Sequence, residues 1–182
     1  EEDGPEYDWI DISRIGERLE AGNDWNSGWI ELGFEFPWYD DVFSQIRVCS
    51  NGFITFDNFD EAPFELLPRT PNVAAPNNLF LVNNADWDPE TGGEMYFWTN
   101  EENLAVVSWV NVPPWGDEGT RSTFQAVFTG LGLVKYQFGP QQRVDGRFNA
   151  VGYENGNGEL GATIVYAEEG RIAEGLCILI SH

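Results

Sequence analysis

The histidine content of the sequence limits the catalytic chemistry that the chain can perform. The only histidine is His182, the last of the 182 residues. Nucleophilic catalysis by serine or cysteine needs a histidine base that a third group holds in place, and a chain terminus is a poor position for that. Two cysteines do not make a Cys₄ zinc site, and neither a Walker loop nor a dinucleotide-binding glycine fingerprint is present. We therefore predict that the protein has no catalytic residues and is not an enzyme.

Carboxylates are the most abundant groups that could do chemistry. The 31 acidic residues supply many carboxylate pairs by chance, and no apolar setting marks one of them as the raised-pKa acid of a glycosidase. One spacing is more specific, because Asp86, Asp88 and Glu90 alternate in a short loop and could direct hard oxygen ligands at one calcium ion. We predict possible calcium binding at these three residues, with a plain polar turn as the alternative.

The tryptophans are the most informative residues for function. Three of them, Trp9, Trp98 and Trp109, lie in alternating segments that are typical of strands and are expected in or near the core. Four others lie among Asp, Asn, Gly or Pro, where core packing gives less reason for an indole; these are Trp25, Trp38, Trp87 and Trp115. Flat aromatic faces beside carboxylates and amides suit sugar rings, so we predict that at least two of these four candidate ligand-binding residues lie exposed on one face and form a ligand platform. The alternative is that they cap the ends of the domain or contact a neighbouring domain.

The charge balance excludes several partners. The chain carries 31 acidic against 9 basic residues, a formal net charge of −22, and Lys135 is its only lysine. Nucleic acid and anionic membrane surfaces would be repelled. No apolar run approaches the length of a membrane span, so membrane insertion is not expected, and we expect that any secretion signal has been removed before residue 1. Adaptation to high salt, plain solubility and calcium binding each explain the acidic excess.

The two cysteines lie in separate apolar segments that are typical of strands. A disulfide between Cys49 and Cys177 would close a very long loop and is compatible with an extracellular chain. Two buried free thiols are the alternative, because the sequence gives no distance between them.

The elements that position these residues are short strands. Aromatic residues make up 15% of the chain, and 20 glycines and 10 prolines punctuate it. Period-two alternation predicts twelve strands: Tyr7 to Ile12, Trp29 to Phe36, Gln45 to Cys49, Phe53 to Phe56, Leu79 to Ala85, Glu94 to Thr99, Leu104 to Val110, Thr123 to Thr129, Leu133 to Phe138, Asn149 to Glu154, Leu160 to Tyr166 and Gly175 to Ile180. The one helical candidate, Ser13 to Ala21, is weak.

Turn signals complete the prediction of the fold. Ser50-Asn51-Gly52 carries the dipeptide that favours a type I′ hairpin, and Asn155 to Gly158 and Thr129 to Gly132 are further hairpin candidates. The stretch from Asp57 to Asn78 has four prolines and no sustained alternation, so we predict a long surface excursion. Strand spacing and length together predict one domain over residues 1–182, an all-β, two-sheet antiparallel sandwich or jelly roll, with a closed barrel as the alternative.

Several segments, in order along the chain, resemble a known module. They are Tyr7 to Ser13 (a Trp-Ile-Asp-Ile-Ser segment), Leu32 to Tyr39, Val48 to Phe56 with its Ser-Asn-Gly turn, Ala75 to Leu79, Asp86 to Pro89, Gly92 to Phe97, Thr123 to Phe128 (Thr-Phe-Gln), Val151 to Asn155 and Glu174 to Ile178. The sequence in this respect resembles a β-sandwich accessory module of secreted bacterial multidomain peptidases and surface proteins, with a strand similar to one in nidogen-like extracellular domains. The resemblance implies an extracellular or cell-surface accessory domain and supplies no catalytic residues.

These observations lead to one functional prediction and one rival. We predict a non-catalytic extracellular binding module that recognises a polysaccharide or another cell-surface polymer through exposed tryptophans. The rival is a structural or adhesion subunit of a surface assembly or filament, in which the same aromatic residues contact neighbouring protein domains.

Overall fold

The strands of the protein form two antiparallel sheets. A computed structural model describes residues 4–117, 119–142, 149–167 and 171–181. The strands are β1 (Glu17–Leu19), β2 (Ile30–Trp38), β3 (Asp41–Cys49), β4 (Phe53–Thr55), β5 (Leu79–Asn84), β6 (Glu94–Thr99), β7 (Leu104–Val112), β8 (Ser122–Thr129), β9 (Leu133–Gln141), β10 (Ala150–Glu154), β11 (Gly161–Tyr166) and β12 (Cys177–Ile180). The described residues contain no helix that could cross a membrane.

Each sheet has six strands. The first sheet has the order β1-β6-β7-β8-β9-β12, and the second has the order β11-β10-β5-β4-β3-β2. The sheets remain separate and do not close into a barrel, so the all-β sandwich prediction is confirmed and the barrel alternative is wrong. Most strands follow their neighbours along the chain because short turns join them, as expected for antiparallel pairs.

The main core lies between the two sheets and is strongly aromatic. Phe128 of β8 meets Phe36 of β2 and Phe80 of β5 edge-on, with ring centroids 5.3 Å apart in both pairs. Phe56, just after β4, contacts the same group of rings. Alternate residues of the strands point into this layer, which explains why period-two alternation located so many of them.

The outer face of the second sheet is covered by the long excursion. Leu67 is buried against Phe53, Leu79 and Leu81, and Phe59 packs at the border of this cluster. Residues 57–78 thus form no strand in the structure, as predicted, and they give the second sheet an apolar cover on its outer side.

The outer face of the first sheet is crossed by the N-terminal strap, which we define as residues 7–12. The backbone of Asp8 exchanges two hydrogen bonds of 2.6 Å with the side-chain amide of Gln137. The backbone of Ile10 likewise pairs with the amide of Gln125, at 3.1 and 3.0 Å. Ile12 is then buried with Val106 near the β6 side of the sheet.

The strap corrects the prediction of a first strand over Tyr7 to Ile12. Glutamine side chains of β8 and β9 take the place of a neighbouring strand, so the segment is extended but crosses the sheet instead of joining it. The helical candidate Ser13 to Ala21 is also wrong: a turn after Ile12 leads into β1, which pairs with β6.

The Ser-Asn-Gly turn differs from the predicted type. Cys49 pairs with Phe53, so three residues connect β3 and β4, and Gly52 has a φ of 75° while Asn51 does not have a positive φ. A type I′ turn needs positive φ at two central residues, whereas a three-residue loop with one left-handed glycine needs only one. A Cβ atom on Gly52 would lie 2.2 Å from the carbonyl oxygen of Asn83, so this position is closed to any side chain.

Candidate functional site

A groove lies along one edge of the sandwich, between the outermost strands of the two sheets. β1 is the edge of the first sheet, β2 is the edge of the second, and residues 20–29 connect them. The groove is open to solvent and has a volume of about 450 Å³. It is lined by Glu17, Arg18, Leu19, Glu20, Trp25, Ser27, Trp29, Ile30 and Glu31. One short stretch of chain therefore supplies both walls.

Trp29 presents an exposed aromatic surface in this groove. Its side chain is 42% exposed, and the guanidinium carbon of Arg47 lies 4.5 Å from the centre of its ring. Arg47 is itself buried, and its Nη2 donates to Oδ1 of Asn58 at 2.8 Å. A cation held over one face fixes the orientation of the indole and leaves the exposed remainder for the groove.

Trp25 is the second aromatic side chain of the groove. It is half-buried and packs against the main core. Its backbone N–H donates to Oγ of Ser50 at 2.9 Å, and its carbonyl accepts from the backbone N–H of Ser50 at 2.8 Å. The Ser-Asn-Gly turn thus holds Trp25 in place.

The segment between the two tryptophans is bonded to β3. Ser27 donates its N–H to the carbonyl of Val48 at 2.9 Å and accepts the N–H of Val48 on its Oγ at 2.9 Å. The side chain of Asn26 donates to the carbonyls of Phe59 and Glu61 in the excursion. The wall that carries both indoles is therefore fixed to the sheet and to the excursion, which favours a preformed site.

Asn51 connects the three loops at this end of the domain. It is fully buried, and its Nδ2 donates to Oδ1 of Asp24 at 2.8 Å and to the carbonyl of Pro63 at 3.1 Å. Its Oδ1 accepts from the backbone N–H of Trp87 at 2.9 Å, and its carbonyl accepts from Nδ2 of Asn84. Asn51 therefore connects the chain beside Trp25 to the excursion and to the acidic loop, which we define as residues 86–90.

The groove carries more negative than positive residues. Glu17, Glu20 and Glu31 are all exposed at its walls, and Arg18 is the one basic lining residue. Nε of Arg18 lies 3.5 Å from a carboxylate oxygen of Glu94, so part of its charge is directed at a residue outside the groove lining. The groove is therefore an aromatic surface in an acidic setting.

The four predicted platform tryptophans do not come together. Trp38 is 0% and Trp87 is 5% exposed, which removes both from the predicted ligand set. Trp25 lines the groove, and Trp115 is 56% exposed but does not line it. Trp29 is the residue that sequence reasoning missed.

The two buried indoles close opposite ends of the core, as the alternative interpretation expected of end-capping residues. Nε1 of Trp38 donates to the carbonyl of Glu154 at 3.2 Å, and its ring packs against Phe80. Nε1 of Trp87 donates to the carbonyl of Asn83 at 2.7 Å. A tryptophan flanked by residues typical of loops can therefore lie buried at an end of the sandwich as well as on its exposed surface. Trp109, expected in the core, is fully buried, and Trp9 and Trp98 are half-buried, as expected.

The acidic loop does not assemble a cluster of carboxylates. Asp88 is 5% exposed and its Oδ1 accepts the backbone N–H of Glu90 at 3.1 Å, while the carbonyl of Asp86 accepts the N–H of Trp115. Among the described residues, no three Asp, Glu, His or Cys side chains are placed to hold a metal ion together, so Asp86, Asp88 and Glu90 do not converge. Calcium binding at this loop stays a prediction without a preformed carboxylate site.

The predicted disulfide is not formed. Cys49 ends β3 in the second sheet, Cys177 begins β12 in the first, and both are free thiols. Burial raises the pKa of the Cys49 thiol to about 12, so this thiol is a poor nucleophile. His182 lies outside the described residues.

The fold is an all-β module with an open groove of about 450 Å³ at one edge. A family model for NIDO-related domains matches residues 7–170, most of the chain. The chain therefore belongs to the nidogen-related family, a non-enzymatic module type that is typically extracellular. Comparisons with curated proteins and with solved structures gave no match.

Proposed function

We propose that this chain is a non-catalytic extracellular binding module that recognises a polysaccharide or another cell-surface polymer in the edge groove. The observation that carries the proposal is the exposed indole of Trp29, which Arg47 contacts and which lines the same groove as Trp25. Exposed aromatic surface that is contiguous and rigid marks an interaction site better than scattered aromatic residues do.

The chemistry of the groove suits sugar rings. Their C–H faces stack on indoles, and their hydroxyls donate hydrogen bonds to carboxylates such as Glu17 and Glu31, which accept at both oxygens. The groove lies at the sandwich edge and is open to solvent, so an internal part of a long polymer can bind without a chain end having to enter. The parent protein that we expect is a secreted bacterial multidomain protein, in which this module would hold its neighbours at a surface.

Substitution of each groove tryptophan tests the proposal. A glycan array, with calcium and with chelator, identifies the ligand, and calorimetry then compares the wild type with Trp29→Ala and Trp25→Ala. We expect each substitution to weaken binding by about 1 to 3 kcal/mol, which is about 5- to 150-fold in Kd. The melting temperature of Trp29→Ala should fall, because more than half of its side chain is covered and it contacts the buried Arg47, so binding is compared at a temperature at which circular dichroism shows the variant folded.

Trp115→Ala is the matched control, since Trp115 is more exposed than Trp29 and lies outside the groove lining. It should bind as the wild type does. If Trp29→Ala keeps full affinity, or if Trp115→Ala alone loses it, the groove is not the binding site.

The rival function, a structural or adhesion subunit, is favoured by the opposite edge of the sandwich. β11 and β12 are the other outermost strands, and they expose Ile164 at 42% and Leu179 at 50%. Exposed apolar side chains on edge strands promote pairing with another chain. Sedimentation at increasing concentration tests this function: assembly that Ile164→Lys abolishes would support it, and a monomer at all concentrations would contradict it.

A further inference from the structure

The acidic residues of the groove determine which ligand charge the groove prefers. Glu17, Glu20 and Glu31 line the groove with a single cation, Arg18, which contacts Glu94; Oε1 of Glu31 also accepts from Nε2 of Gln45. The other nearby cation, Arg47, lies over one face of the Trp29 ring and donates to Asn58, so it is a part of the wall. These carboxylates are exposed and the groove is open to solvent, so each contributes only modestly to an ion pair, and the preference depends on several of them acting on one ligand.

Three classes of sugar would respond differently to this setting. A uronic acid or a sulfated sugar would bring a negative charge against three carboxylates and be disfavoured. An N-acetylated sugar is neutral and would gain from the indoles and from hydroxyl hydrogen bonds, but not from a charge interaction. A sugar with a free amine brings an ammonium, which carboxylates accept through short charge-assisted hydrogen bonds.

We infer that the edge groove selects polysaccharides that carry free amino groups, such as glucosamine oligomers, over their N-acetylated or acidic counterparts. The inference rests on the proposed function of the groove and adds its specificity. The indoles of Trp25 and Trp29 stack on the sugar rings, and the carboxylates of Glu17, Glu20 and Glu31 select the charge.

A matched pair of ligands tests the selection. Glucosamine tetramers and their fully N-acetylated forms share the ring and the linkage and differ in charge. Calorimetry at about pH 6, where an aliphatic amine is protonated, should give at least about tenfold tighter binding for the free amine. The preference should shrink as salt rises from about 0.05 to 0.5 M, because exposed charges are screened.

The strong negative charge of the whole chain requires controls for general attraction to cations. The double variant Glu17→Gln/Glu31→Gln should bind the two tetramers with closely similar affinities, because glutamine keeps an oxygen that accepts from sugar hydroxyls but carries no charge. Glu65→Gln/Glu159→Gln removes two exposed carboxylates outside the groove lining and should keep the preference. A lysine tetrapeptide should not compete for the groove, because it offers charge without sugar rings.

The outcomes separate the two proposals. Equal affinity for both tetramers, lost in Trp29→Ala, overturns the charge selection and keeps the polysaccharide function. Three results would show general attraction to polycations and overturn the selection. They are amine-tetramer binding that survives in Trp29→Ala, amine-tetramer binding that the control double variant also lowers, and displacement of the amine tetramer by the lysine peptide. A selection that persists unchanged in Glu17→Gln/Glu31→Gln also overturns it. No binding of any glycan overturns the polysaccharide function and the selection with it.

Discussion

Replacement of Glu154 by glutamine should change how the stability of the protein depends on pH. Glu154 ends β10, is 1% exposed, and accepts the backbone N–H of Asn72 on Oε2 at 2.7 Å. Burial raises the pKa of its carboxyl to about 7; the Asn72 N–H opposes this rise, and the negative charge of Asp57 adds to it. Glutamine has nearly the same shape and keeps an oxygen for Asn72, but it cannot ionise.

The direction of the effect follows from the raised pKa. Its ordinary value is 4.5, so the unfolded chain releases this proton at a lower pH than the folded protein does. The contribution of Glu154 to folding stability is therefore greatest below about pH 4.5, falls as the pH rises towards 7, and then levels off. A pKa difference of about 2.5 corresponds to a loss of about 3 kcal/mol as an upper value.

Urea denaturation between about pH 5 and pH 8 measures this loss. Relative to the wild type, Glu154→Gln should gain about 2 to 3 kcal/mol in its free energy of unfolding as the pH rises over this range. The 31 acidic residues repel one another more as pH rises, but both proteins share this background and the difference cancels it. Glu159→Gln, an exposed change on the adjoining turn, should follow the wild type. Parallel curves for the wild type and Glu154→Gln would refute the reasoning, as would a folded-state carboxyl titration near 4.5.

Two further predictions concern the strap and the Ser-Asn-Gly turn. Gln125→Ala removes both bonds to the half-buried backbone of Ile10 and also the bonds to Ser108 and Gln137, so the free energy of unfolding should fall by about 2 to 4 kcal/mol and the Ile10 amide should exchange faster with solvent. Unchanged exchange would contradict the role of the strap. Gly52→Ala should destabilise the fold far more than Gly28→Ala, because both glycines have positive φ but only at Gly52 would a Cβ atom meet backbone within 4 Å. Equal melting temperatures for the two variants would show that the close approach at Gly52 is unimportant.

Most of the fold could be predicted from alternation, because most strands bury one face in a shared core. β6 was located with both bounds correct, since glycine precedes its alternating residues and a polar turn follows them. β1 was missed because its three residues form a strand only through pairing with β6. The prediction of a strand over Tyr7 to Ile12 was wrong for a related reason. The hydrogen-bonding partners of the strap are the side chains of Gln125 and Gln137, and no local pattern within residues 7–12 reveals them.

The candidate site was predicted less well than the fold. Trp25 lines the edge groove but is half-buried against the main core, so its place between Asp24 and Asn26 indicated only part of its environment. Trp29 was assigned to an alternating strand, and its exposure depends on an edge position that only the order of the sheet defines. Trp38 lies between Pro37 and Tyr39, just before Asp40 and Asp41, which suggested a turn, but the β2-β3 hairpin places it at the end of the core. Local composition therefore could not separate an indole that caps the core from one that faces solvent.

The arrangement of the two edges makes the two proposed functions separable. The edge formed by β1 and β2 carries the groove. Residues 20–29, which connect these two strands, are hydrogen-bonded to β3 and to the turn after it. The edge formed by β11 and β12 lies at the far end of both sheets and exposes aliphatic side chains. A ligand in the groove and a partner strand at the opposite edge would therefore not compete for the same surface. A module with this layout could hold a polymer on one side while it joins a neighbour on the other, so the Trp29 and Ile164 variants should each affect one function and leave the other intact.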